Sequence, residues 1–226
     1  VPSKWFVGAF SGGDRMKAQV TIIDYGAGNL LNVQRAFEHQ GASVAIATDA
    51  DAILQANRLV FPGVGAFPQA MRRLQEMAIL EAIKEAAVQK PFLGICLGMQ
   101  MMLETSEEFS RTEGLGLIEG QVAALPNQSP DGENLRVPHI GWAPIFPQQV
   151  AWEQTLLSQV PENNAFYFVH SYYADPVNKE DQAAVFEFGG HKITAAIQRD
   201  NLFGCQFHPE KSGEQGLALI EAFLAI

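Results

Sequence analysis

The sequence from residue 90 to residue 100 reads Lys90-Pro91-Phe92-Leu93-Gly94-Ile95-Cys96-Leu97-Gly98-Met99-Gln100. Positions 91–96 are largely apolar and predict a buried strand, and positions 99–104 predict a helix. A nucleophile between two glycines at such a junction is typical of a nucleophile elbow, which lifts the reactive atom out of the sheet. We expect the glycines to permit the sharp turn and to leave room for the approach of a substrate.

The reactivity of Cys96 depends on its place at the start of the predicted helix. Unpaired backbone N–H groups and the helix dipole favour the thiolate there, and the thiolate is the reactive form of cysteine. The alternative is a small residue that fills the end of a buried strand, because free cysteines are among the most buried residues. An active-site interpretation therefore needs a base that can reach the sulfur.

The candidate base is His208, in the segment Phe203-Gly204-Cys205-Gln206-Phe207-His208-Pro209-Glu210. Pro209 favours extended backbone at His208, and side chains two positions apart in extended chain point the same way. Glu210 can then hold one ring nitrogen and leave the other for a thiol. A surface His and Glu after the last strand is the alternative. Taken with Cys96, the three residues predict a nucleophile, a base and an orienting carboxylate.

The composition limits the class of protein and its partners. The chain has 226 residues, of which 47% are hydrophobic and 18% are charged, so it can form a sizeable core. A net charge of −10 argues against nucleic-acid and anionic-membrane partners. Only two cysteines are present. This usage fits a reducing, cytoplasmic compartment and supplies no metal-ligand cluster, so we expect neither a metal nor a cofactor.

Predicted strands and helices alternate along the first half of the chain. Such alternation predicts right-handed crossovers and a parallel sheet. The predicted strands are 20–24, 43–47, 58–61, 91–96, 121–125, 166–173, 183–188, 193–198 and 202–207. The predicted helices are 30–40, 68–89 with a break near Met77, 99–104 and 213–226. We therefore expect an α/β fold of three layers, with a mainly parallel sheet flanked by helices and extra strands in the second half.

The organisation of the chain favours a single domain over residues 16–226. We find no linker, repeat or low-complexity tract in that range, and no apolar stretch reaches the ~20 residues of a membrane helix. Residues 1–15 differ in composition from the rest. We interpret them as an N-terminal extension or a remnant of cloning.

Four further segments carry a resemblance to a known family. They are Asp24-Tyr25-Gly26-Ala27-Gly28-Asn29, Phe61-Pro62-Gly63-Val64-Gly65-Ala66-Phe67, Val137-Pro138-His139-Ile140-Gly141-Trp142 and His170-Ser171-Tyr172. With the elbow and the His-Pro-Glu segment, the chain resembles the class I (triad-type) glutamine amidotransferases from about Val20 to the C-terminus. Within them it is similar to the glutaminase subunits of imidazole glycerol phosphate synthase. The resemblance implies a flavodoxin-like fold. One departure is Ala143, where the family usually has Asn at the partner interface.

The resemblance implies hydrolysis of L-glutamine to L-glutamate and ammonia through a thioester on Cys96. His208 would act as acid and base, and Glu210 would orient it. The implied oxyanion donors are the Leu97 amide and the loop of Gly63 and Val64. The implied substrate contacts are Gly65, Gln100, Glu108 and the backbone of Ser171. A solvated loop is the alternative at Glu108. The implied partner-facing residues are Asn29, Trp142, Tyr167, His170 and Lys211.

The implied partner is the (β/α)₈ cyclase subunit of imidazole glycerol phosphate synthase, in a heterodimer. Ammonia becomes non-nucleophilic ammonium in bulk water, so a glutaminase that serves a synthesis has to pass it through a sheltered route. Three alternatives stay open. They are a glutaminase subunit of another synthase, such as that for anthranilate or a pyridoxal precursor, a catalytically silent regulatory subunit, and a cysteine hydrolase that acts on peptides.

Overall fold

A computed structural model describes residues 19–148, 150–161 and 163–226. The interpretation of residues 1–15, and the start of the predicted domain at Met16, lie outside the described residues. The strands are β1 Gln19–Ile23, β2 Ser43–Ala47, β3 Leu59–Gly63, β4 Phe92–Cys96, β5 Thr105–Ser106, β6 Thr112–Glu113, β7 Gly120–Ala124, β8 His139–Phe146, β9 Ala165–His170, β10 Tyr172–Pro176, β11 Gln182–Phe188, β12 His191–Arg199 and β13 Leu202–Cys205. The helices are α1 Leu30–His39, α2 Ala50–Gln55, α3 Phe67–Glu76, α4 Leu80–Gln89, α5 Leu97–Gln100 and α6 Gly213–Leu224.

Nine strands form one sheet in the order β2-β1-β3-β4-β13-β12-β11-β8-β9. The pairs from β2 to β13 are parallel, and the pairs from β13 to β9 are antiparallel. The order of the five parallel strands is that of a flavodoxin-like doubly wound sheet, in which ligands bind at the carboxyl ends of the strands. A second sheet has the order β10-β7-β5-β6.

Alternation along the parallel strands produces the three layers. Val20 and Ile22 belong to a core cluster that includes residues of α1 and α6. Leu59 and Phe61 belong to a second cluster that includes residues of α2, α3 and α4. Successive side chains of a strand point to opposite faces, so each buried strand contributes to both clusters. The prediction of a three-layer α/β fold with extra strands in the second half is confirmed.

Several predicted elements have the wrong bounds. The strand predicted over 166–173 is two strands, because the chain leaves the nine-stranded sheet after His170 and β10 pairs with β7 in the second sheet. Helix α2 and strand β8 were not predicted. Helix α2 begins after Asp49, whose side chain accepts a hydrogen bond from the Ala52 amide and caps the helix. The helix predicted over 99–104 is wrong, since α5 is a single turn at Leu97–Gln100.

Candidate active site

Cys96 lies at the junction of β4 and α5 in a strained backbone conformation. Its φ is 54° and its ψ is −112°, a combination that non-glycine residues rarely adopt. Such strain costs roughly 1–3 kcal/mol and persists only where the surrounding structure enforces it. Here the parallel pairing of Gly63 with Cys96 and the turn into α5 hold the residue in place. The predicted nucleophile elbow is present in the geometry of the backbone.

The two glycines that flank Cys96 serve packing. A Cβ on Gly98 would lie 1.7 Å from the carbonyl oxygen of Phe61, and a Cβ on Gly94 would lie 2.7 Å from the sulfur of Met102. The glycines are therefore needed for close packing around the turn, and the cleared path for substrate stays a prediction. They let α5 pack against β3 and β4, and the unusual backbone angles belong to Cys96 itself.

The contribution of the helix dipole to the Cys96 site is small. The dipole is a sum over aligned peptide units, and α5 has only four residues. The amides of its first turn have no partners within the helix, and the Leu97 amide is the first of them. The polar surroundings of Cys96 are instead side chains, which come from His208 and Gln206.

His208 and Glu210 form the predicted pair and are almost completely buried. His208 Nδ1 lies 2.9 Å from Glu210 Oε1, and their side chains are 4% and 2% exposed. Burial lowers the pKa of His208, but the adjacent Cys96 sulfur and the Glu210 carboxylate raise it more, and the pKa becomes about 9. The structure thus brings Cys96, His208 and Glu210 together from distant segments of the chain.

Backbone contacts with β9 fix the position of His208, the candidate base. The His208 amide donates to the Tyr167 carbonyl at 3.0 Å. Ser212 Oγ donates to the His208 carbonyl at 2.6 Å and accepts from the Tyr167 amide at 3.1 Å. The backbone of His208 is therefore anchored to a strand of the antiparallel half of the sheet, whereas Cys96 is anchored to the parallel half.

The other cysteine is unsuited to nucleophilic chemistry. Cys205 is fully buried, and burial raises the pKa of its thiol well above the usual value, with further contributions from Glu210 and Cys96. A buried thiol with a raised pKa is protonated at neutral pH and inert. Among the described residues, no group of three or more His, Cys, Asp or Glu side chains could hold a metal ion.

The residues expected to form the oxyanion site are neighbours in the structure. A Cβ on Gly63 would lie 2.9 Å from the Gly98 nitrogen and 3.0 Å from the Leu97 Cβ, so the end of β3 lies directly against the start of α5. Val64 is 43% exposed, and Gly65 follows with a φ of 99°, which favours glycine. The loop from Gly63 to Gly65 therefore borders Cys96 on the solvent side of the strand end.

Two residues expected to contact substrate already have protein partners. Gln100 Nε2 donates to the Tyr172 carbonyl at 2.7 Å and to Gln206 Oε1 at 3.0 Å, so its free end is the Oε1 acceptor. Glu108 Oε2 accepts from the Phe67 amide at 2.7 Å, at the N-terminus of α3. Glu108 thus caps α3. The alternative, in which Glu108 only faces solvent on a loop, does not account for this bond.

Ser171 lies between β9 and β10, where the chain passes from one sheet to the other. Its carbonyl accepts from the Leu125 amide at 2.8 Å, so this part of its backbone is bound within the protein.

Three of the five residues expected to face a partner form one cluster at the surface, in which Trp142 and Lys211 are exposed and Tyr167 is half-buried. Trp142 and Tyr167 are cross-strand neighbours with ring centroids 6.1 Å apart, and Lys211 Nζ lies 5.8 Å from the centre of the Tyr167 ring. Trp142 is 56% exposed. Asn29 is exposed just before α1, which contacts the turn that contains Lys211.

His170 is separated from that cluster. It lies on the opposite face of β9 from Tyr167, and it is buried. Burial lowers the pKa of His170 to about 4 in spite of a bond between its Nδ1 and the Tyr172 carbonyl, and nearby His139 and His208 lower it further. Its expected place among partner-facing residues is therefore not supported by the structure, because alternation along the strand turns it inward.

Sequence reasoning missed Gln206 in the site. Its Nε2 lies 3.6 Å from Cys96 Sγ, within reach of a hydrogen bond to sulfur, and its side chain is completely buried. The available signal was a polar residue between apolar neighbours, Cys205 and Phe207, because a buried amide requires hydrogen-bond partners.

Comparisons with known proteins identify the family of the chain. A family model described as glutamine amidotransferase class-I matches residues 21–226. The chain is 48% identical over 212 residues to the imidazole glycerol phosphate synthase subunit HisH 1 of Legionella pneumophila (strain Lens), and the match covers 92% of this chain and 100% of the relative. It is 42% identical over 215 residues to the HisH subunit of Aromatoleum aromaticum, with 92% and 98% covered.

Solved structures show a similar fold at low sequence identity. PurLQS from Thermotoga maritima matches with a TM-score of 0.68 and 17% identity, over 92% of this chain and 98% of that chain. A second structure, of a glutamine amidotransferase, matches with a TM-score of 0.68 and 14% identity, over 91% and 98%. At these identities the likeness shows the fold alone.

Proposed function

This chain belongs to the class I glutamine amidotransferases, and we propose that Cys96, His208 and Glu210 carry out its glutamine hydrolysis. The resemblance identified from the sequence is confirmed, and the HisH relatives place the chain with the glutaminase subunits of imidazole glycerol phosphate synthase, in histidine biosynthesis. The observation that carries the proposal is the buried His208–Glu210 pair beside the strained Cys96. This arrangement also argues against a catalytically silent regulatory subunit.

The first chemical step is attack by the Cys96 thiolate on the side-chain amide of glutamine. The protonated His208, stabilised by Glu210 and by the sulfur, gives its proton to the leaving ammonia as the tetrahedral intermediate collapses to a thioester. Neutral His208 then takes a proton from water, and the resulting attack on the thioester carbonyl releases glutamate. His208 thus acts first as an acid and then as a base, while Glu210 keeps its Nδ1 occupied.

The negative oxygen of the intermediate needs N–H donors that are already in place. We assign this role to the Leu97 amide and to an amide of the Gly63–Val64 loop, because the loop lies against the start of α5. Removal of one such donor costs about 3–4 kcal/mol of transition-state stabilisation in other enzymes. Gly65, Gln100, Glu108 and the backbone of Ser171 would hold the rest of the glutamine. The carboxylate of Glu108 suits the substrate ammonium, and Gln100 offers an acceptor.

The ammonia produced would pass to a cyclase subunit in a heterodimer. We assign the partner surface to Trp142, Tyr167, Lys211 and Asn29, since the first three form a cluster at the surface in which aromatic rings and a cation lie side by side. Exposed aromatic residues are enriched at the centres of protein interfaces. Ala143 is 6% exposed, so the small side chain that replaces the family's Asn is turned away from this surface.

The remaining expectations fit a subunit of a biosynthetic enzyme. We propose that residues 16–226 act as one domain, that the protein is cytoplasmic, and that neither nucleic acid nor membrane is a partner. The net charge of −10 supports the last point. In the part of the chain that is described, no helix is long and apolar enough to cross a bilayer.

Replacement of the nucleophile tests the proposed function. Cys96→Ala should abolish glutamine-dependent synthesis in the complex with the cyclase and leave synthesis from added ammonium salt intact. Cys205→Ala is the matched control and should retain glutamine-dependent synthesis, because its thiol takes no part in the reaction. Equal loss of both activities in Cys96→Ala would contradict the division of labour between the two subunits.

Co-purification tests the choice of synthase. The chain should bind a (β/α)₈ cyclase of imidazole glycerol phosphate synthase and release glutamate in its presence. Capture by a different synthase, together with no affinity for the cyclase, would favour the alternative of a glutaminase for another pathway. Hydrolysis of peptides without hydrolysis of glutamine would favour the cysteine hydrolase instead.

A further inference from the structure

A buried chain of hydrogen bonds ends on the sulfur of Cys96. The Tyr172 carbonyl accepts from Gln100 Nε2 at 2.7 Å, Gln100 Nε2 also donates to Gln206 Oε1 at 3.0 Å, and Gln206 Nε2 lies 3.6 Å from Cys96 Sγ. Gln100 is 5% exposed and Gln206 is 0% exposed. Water therefore cannot compete for these bonds. Burial of a side-chain amide costs free energy unless the amide forms hydrogen bonds within the protein.

The direction of each amide in this chain follows from its first member. The Tyr172 carbonyl can only accept, so the atom of Gln100 that faces it must be the NH₂ group. The second hydrogen of that NH₂ points to Gln206, where the acceptor must be Oε1. The opposite end of the Gln206 amide is then its NH₂, and this end faces Cys96. The reverse orientation would place an oxygen lone pair against the sulfur.

A second contact fixes the Tyr172 carbonyl and links the chain to β9. His170 Nδ1 lies 2.9 Å from the same oxygen and donates to it. The backbone N–H of Gln206 donates to the Ala195 carbonyl at 2.8 Å, so the backbone of Gln206 is bound to β12. The backbone of Gln206 is held by Ala195, and its side-chain oxygen is held by Gln100. These two bonds fix the position of its NH₂ group relative to the sulfur.

We propose that Gln206 is a positioning residue of glutamine hydrolysis, whose N–H donates to the Cys96 thiolate and holds it for attack. The inference rests on the proposed function and adds a residue to it. A donor to a thiolate favours the charged form, so Gln206 increases the fraction of reactive sulfur near neutral pH. The sulfur loses its negative charge in the thioester, so the Gln206 bond is strongest in the free enzyme and weakens as the acyl-enzyme forms.

Alkylation of Cys96 tests this role without glutamine or a partner. The rate of reaction of the full chain with iodoacetamide is measured against pH, with the peptide that contains Cys96 followed by mass spectrometry. Gln206→Met removes the donor at similar volume and should move the midpoint of the rate profile upward by about one pH unit. Gln206→Glu should move it in the same direction and further, because a carboxylate repels the thiolate.

Gln182→Met is the matched control. Gln182 is also buried, and its Nε2 donates to Thr194 Oγ1 at 2.9 Å on the antiparallel half of the sheet. Loss of this bond should lower stability to a comparable degree and leave the alkylation profile of Cys96 unchanged. If Gln206→Met fails to fold, Gln206→Glu gives the same test, since it preserves the size of the side chain.

Kinetics of the complex with the cyclase separate this inference from the proposed function. At pH 7, Gln206→Met should lower kcat for glutamine by up to about ten-fold and change KM by less than about three-fold, because fewer molecules carry a thiolate. A wild-type alkylation profile in Gln206→Met or Gln206→Glu would overturn the positioning role, whatever the activity. If the unsubstituted chain hydrolyses no glutamine with the cyclase, a shifted profile would still support the bond between Gln206 and the sulfur and would reject only the proposed function.

Discussion

At the residue scale, Cys96 combines a strained backbone with two buried polar side chains beside it. Its φ of 54° places the sulfur at the end of β4, where His208 and Gln206 approach it from the segment that follows β13. Strands β4 and β13 are parallel neighbours, so their carboxyl ends lie at the same edge of the sheet. The convergence of the proposed nucleophile and base with the side-chain amide of Gln206 is therefore a consequence of strand order.

The interaction between Cys96 and His208 predicts a measurable change in a variant. Burial lowers the pKa of His208, and the Cys96 sulfur is the largest of the contributions that raise it to about 9. Cys96→Ala removes that contribution, so the pKa of His208 should fall. A titration of the His208 ring by NMR checks this, with Cys205→Ala as the control that leaves the midpoint near 9.

The same pKa determines how stability depends on pH. The pKa of His208 is higher in the folded chain than the ordinary value of 6.5, so the folded state binds the proton more tightly. The resulting stabilisation is complete below pH 6.5 and is lost as the pH rises through about 9. Cys96→Ala should therefore lose less stability over this interval than the wild type. Identical losses, or an unchanged His208 midpoint, would refute the contact.

Local signals predicted the proposed catalytic residues but not Gln206. Cys96 follows an apolar strand between glycines, and His208 and Glu210 flank a proline, so each carries a pattern in its own neighbourhood. Gln206 acquires its role only through Gln100 and Cys96, which are 106 and 110 positions away. Such contacts depend on the pairing of strands, which a single sequence does not specify residue by residue.

At the scale of elements, the packing of α5 on β3 predicts that Gly98 tolerates no side chain. A Cβ at this position would lie 1.7 Å from the Phe61 carbonyl oxygen, and backbone atoms on both sides prevent relaxation. Gly98→Ala should destabilise the fold by at least about 3 kcal/mol and should also lower glutamine hydrolysis. Denaturant unfolding followed by circular dichroism measures the first effect.

Gly132 provides the control for Gly98. A Cβ added at Gly132 would meet no atom within 4 Å, and the φ of this residue is 85°, so Gly132→Ala adds backbone strain only. We expect a cost of about 1–2 kcal/mol and unchanged glutamine hydrolysis. A Gly98→Ala protein as stable as Gly132→Ala would mean that α5 can move away from β3.

Glu108 connects the proposed substrate site with the start of α3. Its Oε2 accepts from the Phe67 amide at 2.7 Å, so a neutral amide in its place can still cap the helix but cannot attract an ammonium. Glu108→Gln should raise KM for glutamine at least ten-fold with little change in the free energy of unfolding. Glu108→Ala should raise KM similarly and also destabilise the fold by about 1 kcal/mol.

These two variants separate the roles of Glu108. Steady-state kinetics in the presence of the cyclase gives KM, and denaturant unfolding gives stability. A Glu108→Gln protein with wild-type KM would leave Glu108 as a helix cap alone. An equal loss of stability in both variants would show that the charge of the carboxylate, and not its acceptor oxygen, supports α3.

At the scale of the whole molecule, the parallel half of the sheet could be predicted and the antiparallel half only in part. Strands β1 to β4 alternate with helices, and this order leaves few possible topologies. The break at Ser171 could not be predicted, because residues 166–173 are continuously strand-like and only pairing with β7 moves β10 into a second sheet. The inward position of His170 follows instead from alternation along β9.

The enclosure of the active site predicts a low activity for the chain by itself. Cys96 is 6% exposed and His208 is 3% exposed, and the loop from Gly63 to Gly65 borders them. Substrate entry and completion of the oxyanion site then require a rearrangement that a bound partner can favour. Glutamate release should be slow for the chain alone and rise at least ten-fold with the cyclase and its nucleotide.

Variants inside and outside the surface cluster on β8 and β9 test whether activation depends on binding of the cyclase there. The Tyr167 carbonyl accepts a hydrogen bond from the His208 backbone N–H. A partner that binds Trp142 and Tyr167 would therefore contact the strand that anchors His208. Trp142→Ala should raise the cyclase concentration needed for half-maximal activation by about ten-fold or more, as expected for an aromatic residue at the centre of an interface. Val88→Ala, at a 72% exposed position on α4 outside the cluster, should not. Equal glutaminase rates with and without the liganded cyclase would show that the isolated chain already holds the active arrangement.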